Sequence, residues 1–205
     1  QMPLIVTQSA TYFAQHGYVV AAQDVRGRFD SEGDFVPWVN EFDDGFDSVE
    51  WIGAQDWCDG NIGMMGISWG GFNGLQVAAL NPPALKAIIT ICSTVDRYAD
   101  DIHYKGGCLL IENFGWAMTM LAYSARPPDP ALAGNKWHQM WRERLTRQPL
   151  HLSTWLHHQH RDDYWKHGSV CEDYGAIKAA VLSIGGWPVS YTHLRAHETS
   201  LHLVC

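Results

Sequence analysis

The chain has 205 residues, 46% of them apolar and 12% aromatic, which suffices for one substantial core with an insertion and excludes a disordered chain. Fourteen Lys+Arg against 22 Asp+Glu leave a net charge of −8, and no basic stripe runs along the sequence, so neither nucleic acid nor an anionic membrane is expected as a partner. The five cysteines (Cys58, Cys92, Cys108, Cys171 and Cys205) are widely spaced and form no C-x-x-C pair, the pattern of buried or incidental thiols.

In chain order, residues 9–16 read as a short helix ended by Gly17, with Tyr12 and Phe13 as its apolar contacts. Residues 18–22 are a compact apolar run closed by Asp24, the pattern of a buried strand. The polar, glycine-punctuated stretch 24–33 is a loop. Asp24 with Arg26, and Arg28 with Asp30, are expected to brace it through hydrogen bonds, a reading preferred over a catalytic role for Asp24. Asn40 is placed to cap the next helix, and Glu41, Asp43 and Asp44 suit its positive end. Phe42, Phe46, Val49, Trp51 and Ile52 give that helix a broad apolar face, and Asp59-Gly60 stops it. Trp57, Cys58 and Asp59 read as structural.

Residues 62–65 fit a short buried strand, 70–80 a helix ended by Asn81-Pro82-Pro83, and 85–91 a further strand rich in β-branched residues. Alternating strands and helices, with both sheet faces expected to be covered, describe a parallel α/β sheet. Positions 60–85 carry no charge, but their glycines, polar side chains and prolines indicate a buried core rather than a membrane span. Beyond Cys92 the pattern becomes aromatic, histidine-rich and helical. Trp137, Met140, Trp141 and Leu145 recur at helical spacing, and residues 126–130 divide the stretch. A strand pattern resumes at 177–184 and runs into Gly185-Gly186-Trp187. The expected organisation is a first core part at 1–94, a helical cap inserted at 95–175 over the carboxyl ends of the strands, a return strand at 176–187, and a non-native tail at 188–205. No signal peptide is visible, and the cytoplasm is the favoured compartment.

Gly66-Ile67-Ser68-Trp69-Gly70-Gly71 is the sharpest chemical signal. A serine on a tight strand-to-helix turn needs small flanking residues, because a Cβ would clash where the backbone doubles back. Such a turn exposes the hydroxyl above the sheet, and the helix that follows aims N–H groups at developing negative charge. This makes Ser68 the candidate nucleophile and the Trp69 main-chain N–H the first oxyanion donor. The alternative is a glycine turn with a structural serine. The Trp69 indole reads either as a pocket wall or as packing. His157, His158 and His160, with Asp162, Asp163 and His167 nearby, are the most metal-like cluster. His157 and His160 would share a helical face but lack a third ligand there, so packing or solvated histidines are preferred to a metal site. The glycines near Ser68 match neither a phosphate loop nor a dinucleotide fingerprint.

Asp24-Val25-Arg26-Gly27, the run from Trp57-Cys58-Asp59-Gly60 through Ser68 to Gly71, and Arg97-Tyr98-Ala99-Asp100-Asp101-Ile102-His103-Tyr104 together resemble the X-Pro dipeptidyl-peptidase and cocaine esterase-like (CocE/NonD) α/β-hydrolases, over nearly all of 10–187. The resemblance implies an α/β-hydrolase parallel sheet, here truncated, with an inserted helical cap that begins at the Arg97 motif. It implies a serine hydrolase of ester, amide or X-Pro peptide bonds, with Ser68 as nucleophile and Trp69 as oxyanion donor. Tyrosine follows the serine in many relatives, so Trp69 is a departure that bears on pocket shape. The family's upstream oxyanion tyrosine has no counterpart, Val189 occupies the place of the triad aspartate, and the triad histidine would lie further on. Residues 189–199 resemble a translated sequencing adapter, so His193, His197 and His202 are not triad candidates, and a rebuilt Glu198–His202 pair is disfavoured. Activity is therefore expected in the full-length parent, with little or none in the 205-residue chain alone. Its substrate would be a small ester or amide or a short peptide, with no cofactor and no metal. The rival readings are a noncatalytic binding protein on the same fold and a metal-dependent hydrolase.

Overall fold

The computed structural model describes residues 4–27, 31, 33 and 40–185, and the chain forms two compact units, Gln1–Phe35 and Val36–Cys205. In the first unit, helix α1 (Leu4–Gln15) starts earlier than the pattern placed it and gives way to Gly17 at a φ of 89°. Phe13 packs edge-on against Tyr12 and Tyr18, with ring centroids 5.6 and 5.7 Å apart. The strand expected over 18–22 does not form. These residues are irregular, and Tyr18 and Val19 stay 64% and 67% exposed. An apolar run becomes a strand only when a neighbour takes its hydrogen bonds, and no described strand pairs with this one. The loop beyond is braced through main chain: the Ser31 hydroxyl donates to the Asp24 carbonyl at 2.7 Å. Arg28 and Asp30 lie outside the described residues.

The second unit opens with α2 (Glu41–Gly53), β1 (Ile62–Ile67), α3 (Trp69–Ala79) and β2 (Leu85–Ile91). Asn40 precedes α2 but does not cap it with its side chain, because its backbone is already helical (φ −89°, ψ −13°) rather than extended. α2 also ends short of Asp59-Gly60, leaving Trp51 exposed and only Phe42 and Val49 of its predicted face buried. An inserted segment follows: β3 (Tyr104–Lys105), β4 (Cys108–Leu109), α4 (Glu112–Ser124), α5 (Pro130–Ala133), α6 (Trp137–Thr146), α7 (His151–His157) and α8 (Asp163–His167). The chain then returns to the sheet as β5 (Ala180–Ile184).

β1, β2 and β5 form a parallel sheet in that order, with Ile67 beside Ile91 and Ile91 beside Ile184. All three strands therefore finish at one edge. Strand order follows chain order, so right-handed crossovers fall on one face. There Val49 of α2 and Val77 and Ala78 of α3 pack with Ile88, Met64 and Val181. Among the described residues the opposite face is not covered as expected: Met65 and Ile67 on β1 remain 43% and 52% exposed, and Leu182 and Ile184 on β5 are open as well.

The inserted segment has a separate core of Tyr104, Ala117, Trp155 and Trp165. It is joined to α3 by polar contacts: Arg97 lies 4.0 Å over the Phe72 ring and is ion-paired with buried Asp101, and Gln76 Nε2 donates to the Gly168 carbonyl at 2.7 Å. α6 coincides with the spacing of Trp137, Met140 and Trp141, yet none of its residues is buried. Among the described residues no helix is long and apolar enough to cross a membrane.

His103 sits within this aromatic core, 1% exposed, its ring edge-on to Trp155 at 4.6 Å. Its Nδ1 meets Asn113 Oδ1 at 2.7 Å, and Asn113 Nδ2 donates back to the His103 carbonyl at 2.6 Å. Burial pushes the imidazole down to about 3, the Arg97 charge acting in the same direction and the Asn113 contact opposing it. The unfolded chain thus takes up a proton near pH 6.5 that the folded chain refuses until about pH 3. The His103 contribution is complete above pH 6.5 and falls as pH drops, by about 1.4 kcal/mol per unit. Urea unfolding between pH 6.5 and 4.5 will show this slope, and His103→Gln, which keeps a neutral donor for Asn113, will remove one proton's share of it.

Candidate active site

Ser68 joins β1 to α3 with φ 54° and ψ −117°, a backbone conformation that L-residues rarely adopt. Three main-chain hydrogen bonds hold it there. Its N–H donates to the Ile91 carbonyl at 2.8 Å, extending the β1–β2 ladder one residue past the strand, and its carbonyl accepts from Gly71 and Phe72 at 2.9 and 3.0 Å. Ser68 stands at the N-cap position, where serine ordinarily turns its hydroxyl onto the helix, yet no side-chain cap bond forms. The hydroxyl has no hydrogen-bond partner among the described residues, and the side chain is partly exposed at the carboxyl edge of the sheet. Strained turns of this kind concentrate at functional sites.

The glycines divide differently from the motif. A Cβ on Gly66 would drive into the Gly70 backbone, and one on Gly71 would lie 2.8 Å from Thr90 Oγ1 and 2.9 Å from Ser93 Cβ. A Cβ on Gly70 would meet nothing within 4 Å. The close approach is therefore made at Gly66 and Gly71. Beneath them the buried Thr90 and Ser93 hydroxyls hydrogen-bond each other at the end of β2.

Trp69 opens α3, and its indole Nε1 donates to Glu41 Oε2 at 2.7 Å. Asn73 Nδ2 reaches the same oxygen at 3.0 Å. The sequence had presented Glu41 only as a charge suited to a helix start. Its partners lie 28 and 32 residues away, beyond any local pattern.

The histidine cluster is not assembled as its spacing suggested. α7 ends at His157, so His157 and His160 do not share a helical face. His157 Nδ1 faces the Ser153 carbonyl at 2.6 Å, and His158 Nδ1 meets Asp162 Oδ2 at 2.6 Å while its ring stacks on Tyr164 at 4.2 Å. Asp162 also caps α8 by accepting from the Tyr164 N–H at 3.1 Å. No group of three or more potential metal-binding side chains occurs among the described residues. The four described cysteines are unbridged, and burial pushes the Cys171 thiol up to about 11, with Asp96 adding to the effect. Val189, His193, His197, Glu198 and His202, and the tail at 188–205, lie outside the described residues.

The packing around Ser68 makes a clear prediction for urea unfolding. Gly66→Ala and Gly71→Ala will each lose about 2–4 kcal/mol of stability through forced backbone shifts. Gly70→Ala, in open space on the same helix, will stay within about 1 kcal/mol of the parent chain, on the stabilising side.

The family model described as X-Pro dipeptidyl-peptidase (S15 family) matches residues 4–196. Cocaine esterase from Rhodococcus sp. (strain MB1 Bresler) is 35% identical over 204 residues, spanning 88% of this chain and 36% of that protein. A CocE/NonD family hydrolase from Staphylococcus aureus, known from its crystal structure, is similar at a TM-score of 0.57 and 28% identity, over 75% of this chain and 24% of its own. An α-amino acid ester hydrolase structure reaches a TM-score of 0.62 over 86% of this chain and 33% of its own; at 22% identity it bears on the fold alone. The chain thus spans about a third of the length of the esterase it matches. With the match taking in the Ser68 turn, the parallel sheet and the inserted segment, the chain belongs to the X-Pro dipeptidyl-peptidase (S15) family and has the α/β-hydrolase fold.

Proposed function

We propose that Ser68 is the nucleophile of a serine hydrolase that cleaves ester or amide bonds through an acyl-enzyme, in the whole protein of which this chain spans part. One observation carries the reading: Ser68 is held at φ 54° on a strand-to-helix turn that leaves no room for a Cβ at Gly66 or Gly71, and its hydroxyl is not used to cap the helix. Folding around so constrained a serine has a clear use if the hydroxyl must face a substrate at the sheet edge. The cocaine esterase among the relatives supports esters as the substrate class, and the family name adds peptides with proline at the second position.

In this mechanism a histidine takes the proton as Ser68 Oγ attacks the acyl carbonyl. The carbonyl oxygen becomes an oxyanion that accepts a hydrogen bond from the Trp69 main-chain N–H at the start of α3, where the helix field favours negative charge. The histidine gives its proton to the departing alcohol or amine, leaving the acyl group on Ser68. Water that yields a proton to the same histidine then attacks the acyl-enzyme and releases the acid. Residues 95–175 act as the cap that shapes the acyl and leaving-group pocket. No specific observation favours metal-dependent hydrolysis through the His157–His160 stretch. A noncatalytic binding role predicts ester binding without turnover.

The test is steady-state release of p-nitrophenol from p-nitrophenyl butyrate by the whole protein, with Ala-Pro-p-nitroanilide as the peptide arm. Ser68→Ala will lower kcat by about 10³-fold or more and abolish fluorophosphonate labelling. Turnover that survives Ser68→Ala refutes the nucleophile assignment, and binding without turnover in the parent supports the noncatalytic reading.

A further inference from the structure

Ser68 does not cap α3, so the first turn of that helix needs another hold. A helix start is its weakest part, because its leading N–H groups have no partners within the helix. Serine at this position would ordinarily supply one, but a hydroxyl committed to capping is withdrawn from attack on a substrate. Trp69 and Asn73 stand four residues apart and share a face of α3, and both donate to the same oxygen of Glu41, at 2.7 and 3.0 Å. Glu41 is the first residue of α2, and its other oxygen is shielded from solvent as well.

We infer that Glu41 is a positioning residue for the reaction at Ser68: its carboxylate pins the Trp69 indole and the Asn73 amide, and so fixes the main-chain N–H that follows the nucleophile. This rests on the reading of Ser68 as nucleophile and of the Trp69 N–H as oxyanion donor. The indole is rigid and turns about only two torsions, so anchoring its Nε1 sets the direction of the Trp69 Cα–Cβ bond and with it the adjoining peptide. An oxyanion donor works only where its geometry is held before the charge develops. The two side-chain donors and the positive end of α2 stabilise the carboxylate in this place.

In the whole protein, with p-nitrophenyl butyrate, Glu41→Ala will lower kcat by about 10- to 100-fold while KM changes by less than about threefold. Glu41→Gln, which still offers an oxygen to both donors, will stay within about threefold of the parent. Trp69→Phe removes the indole donor, and in that background Glu41→Ala will cost less than about threefold more. A rise in KM at constant kcat would make Glu41 a substrate-binding group and overturn the inference. Equal losses in both backgrounds, or no loss, overturn it too.

A second measurement needs no activity and no Glu41 variant. In the nitrogen-15 spectrum of the 205-residue chain, the indole resonance missing from Trp69→Phe identifies Trp69. Slow solvent exchange of that proton supports the contact, and exchange as fast as in an exposed tryptophan removes its basis. Should Ser68→Ala retain turnover, the nucleophile reading falls, whereas a failure confined to the Glu41 variants or to the indole proton falls on the positioning role alone.

Discussion

The structure around Ser68 depends on how closely the first turn of α3 lies against the ends of β1 and β2. Gly66 has the Gly70 backbone where a side chain would begin, and Gly71 has the Thr90 and Ser93 side chains. The chain must leave β1 and start a helix within a single residue, and Ser68 at φ 54° absorbs the whole change of direction. The conformation costs on the order of 1–3 kcal/mol, and it persists because three main-chain hydrogen bonds and two side-chain-free contacts fix it from both sides. The serine so held makes no side-chain cap to the helix it precedes, so the strained backbone and the uncommitted hydroxyl coincide at one residue.

α3 is also the wall shared by two cores. One side packs with the sheet through Val77 and Ala78, and another receives the inserted segment through Phe72 beneath Arg97 and Gln76 against Gly168. Seven of its eleven residues are buried as a result. This accounts for the absence of charge on α3 itself: a helix enclosed on several sides has little solvent face to carry it. It also gives the inserted segment a direct mechanical connection to the helix that bears Trp69. Arg97 is the costly element of that connection. Its guanidinium is buried, but it has Asp101 as counter-charge and an aromatic face beneath it, and a buried charge is tolerated only when so compensated.

What the sequence disclosed followed the range of the forces involved. The β2 strand was legible to the residue, because a short β-branched run bounded by prolines and a polar turn has few other ways to fold. The Ser68 turn was legible because its glycine requirement is local, although the pattern called for small residues on both flanks without separating Gly70, which has open space, from Gly71, which does not. Residues 18–22 have the composition of a strand, but strand formation is decided by a partner that composition does not name. The two-residue strands of the β3–β4 hairpin are too short to leave any periodicity. The histidine cluster failed as a unit because α7 stops at His157, a boundary that no adjacent glycine or proline marks in the sequence. Glu41 had an adequate local explanation as a helix-start charge, which concealed its partners on α3.

The carboxyl edge of the sheet shows the same device twice. Past Ile67 the chain turns at Ser68, and past Ile91 it turns at Cys92, whose φ is 47°. Each residue first completes the ladder, Ser68 donating to Ile91 and Cys92 to Ile184, both at 2.8 Å, and then directs the chain away from the strand. Two neighbouring strands that end in register and leave through left-handed residues concentrate sharp turns along one edge, the edge where open α/β sheets bind their ligands. Such turns need rigid support, and the Thr90–Ser93 hydroxyl pair lies buried between them. It satisfies two polar groups within the core while forming the floor that excludes a side chain from Gly71. The placement of Ser68 is thus a property of both strand ends together, with the second strand bracing the turn made by the first.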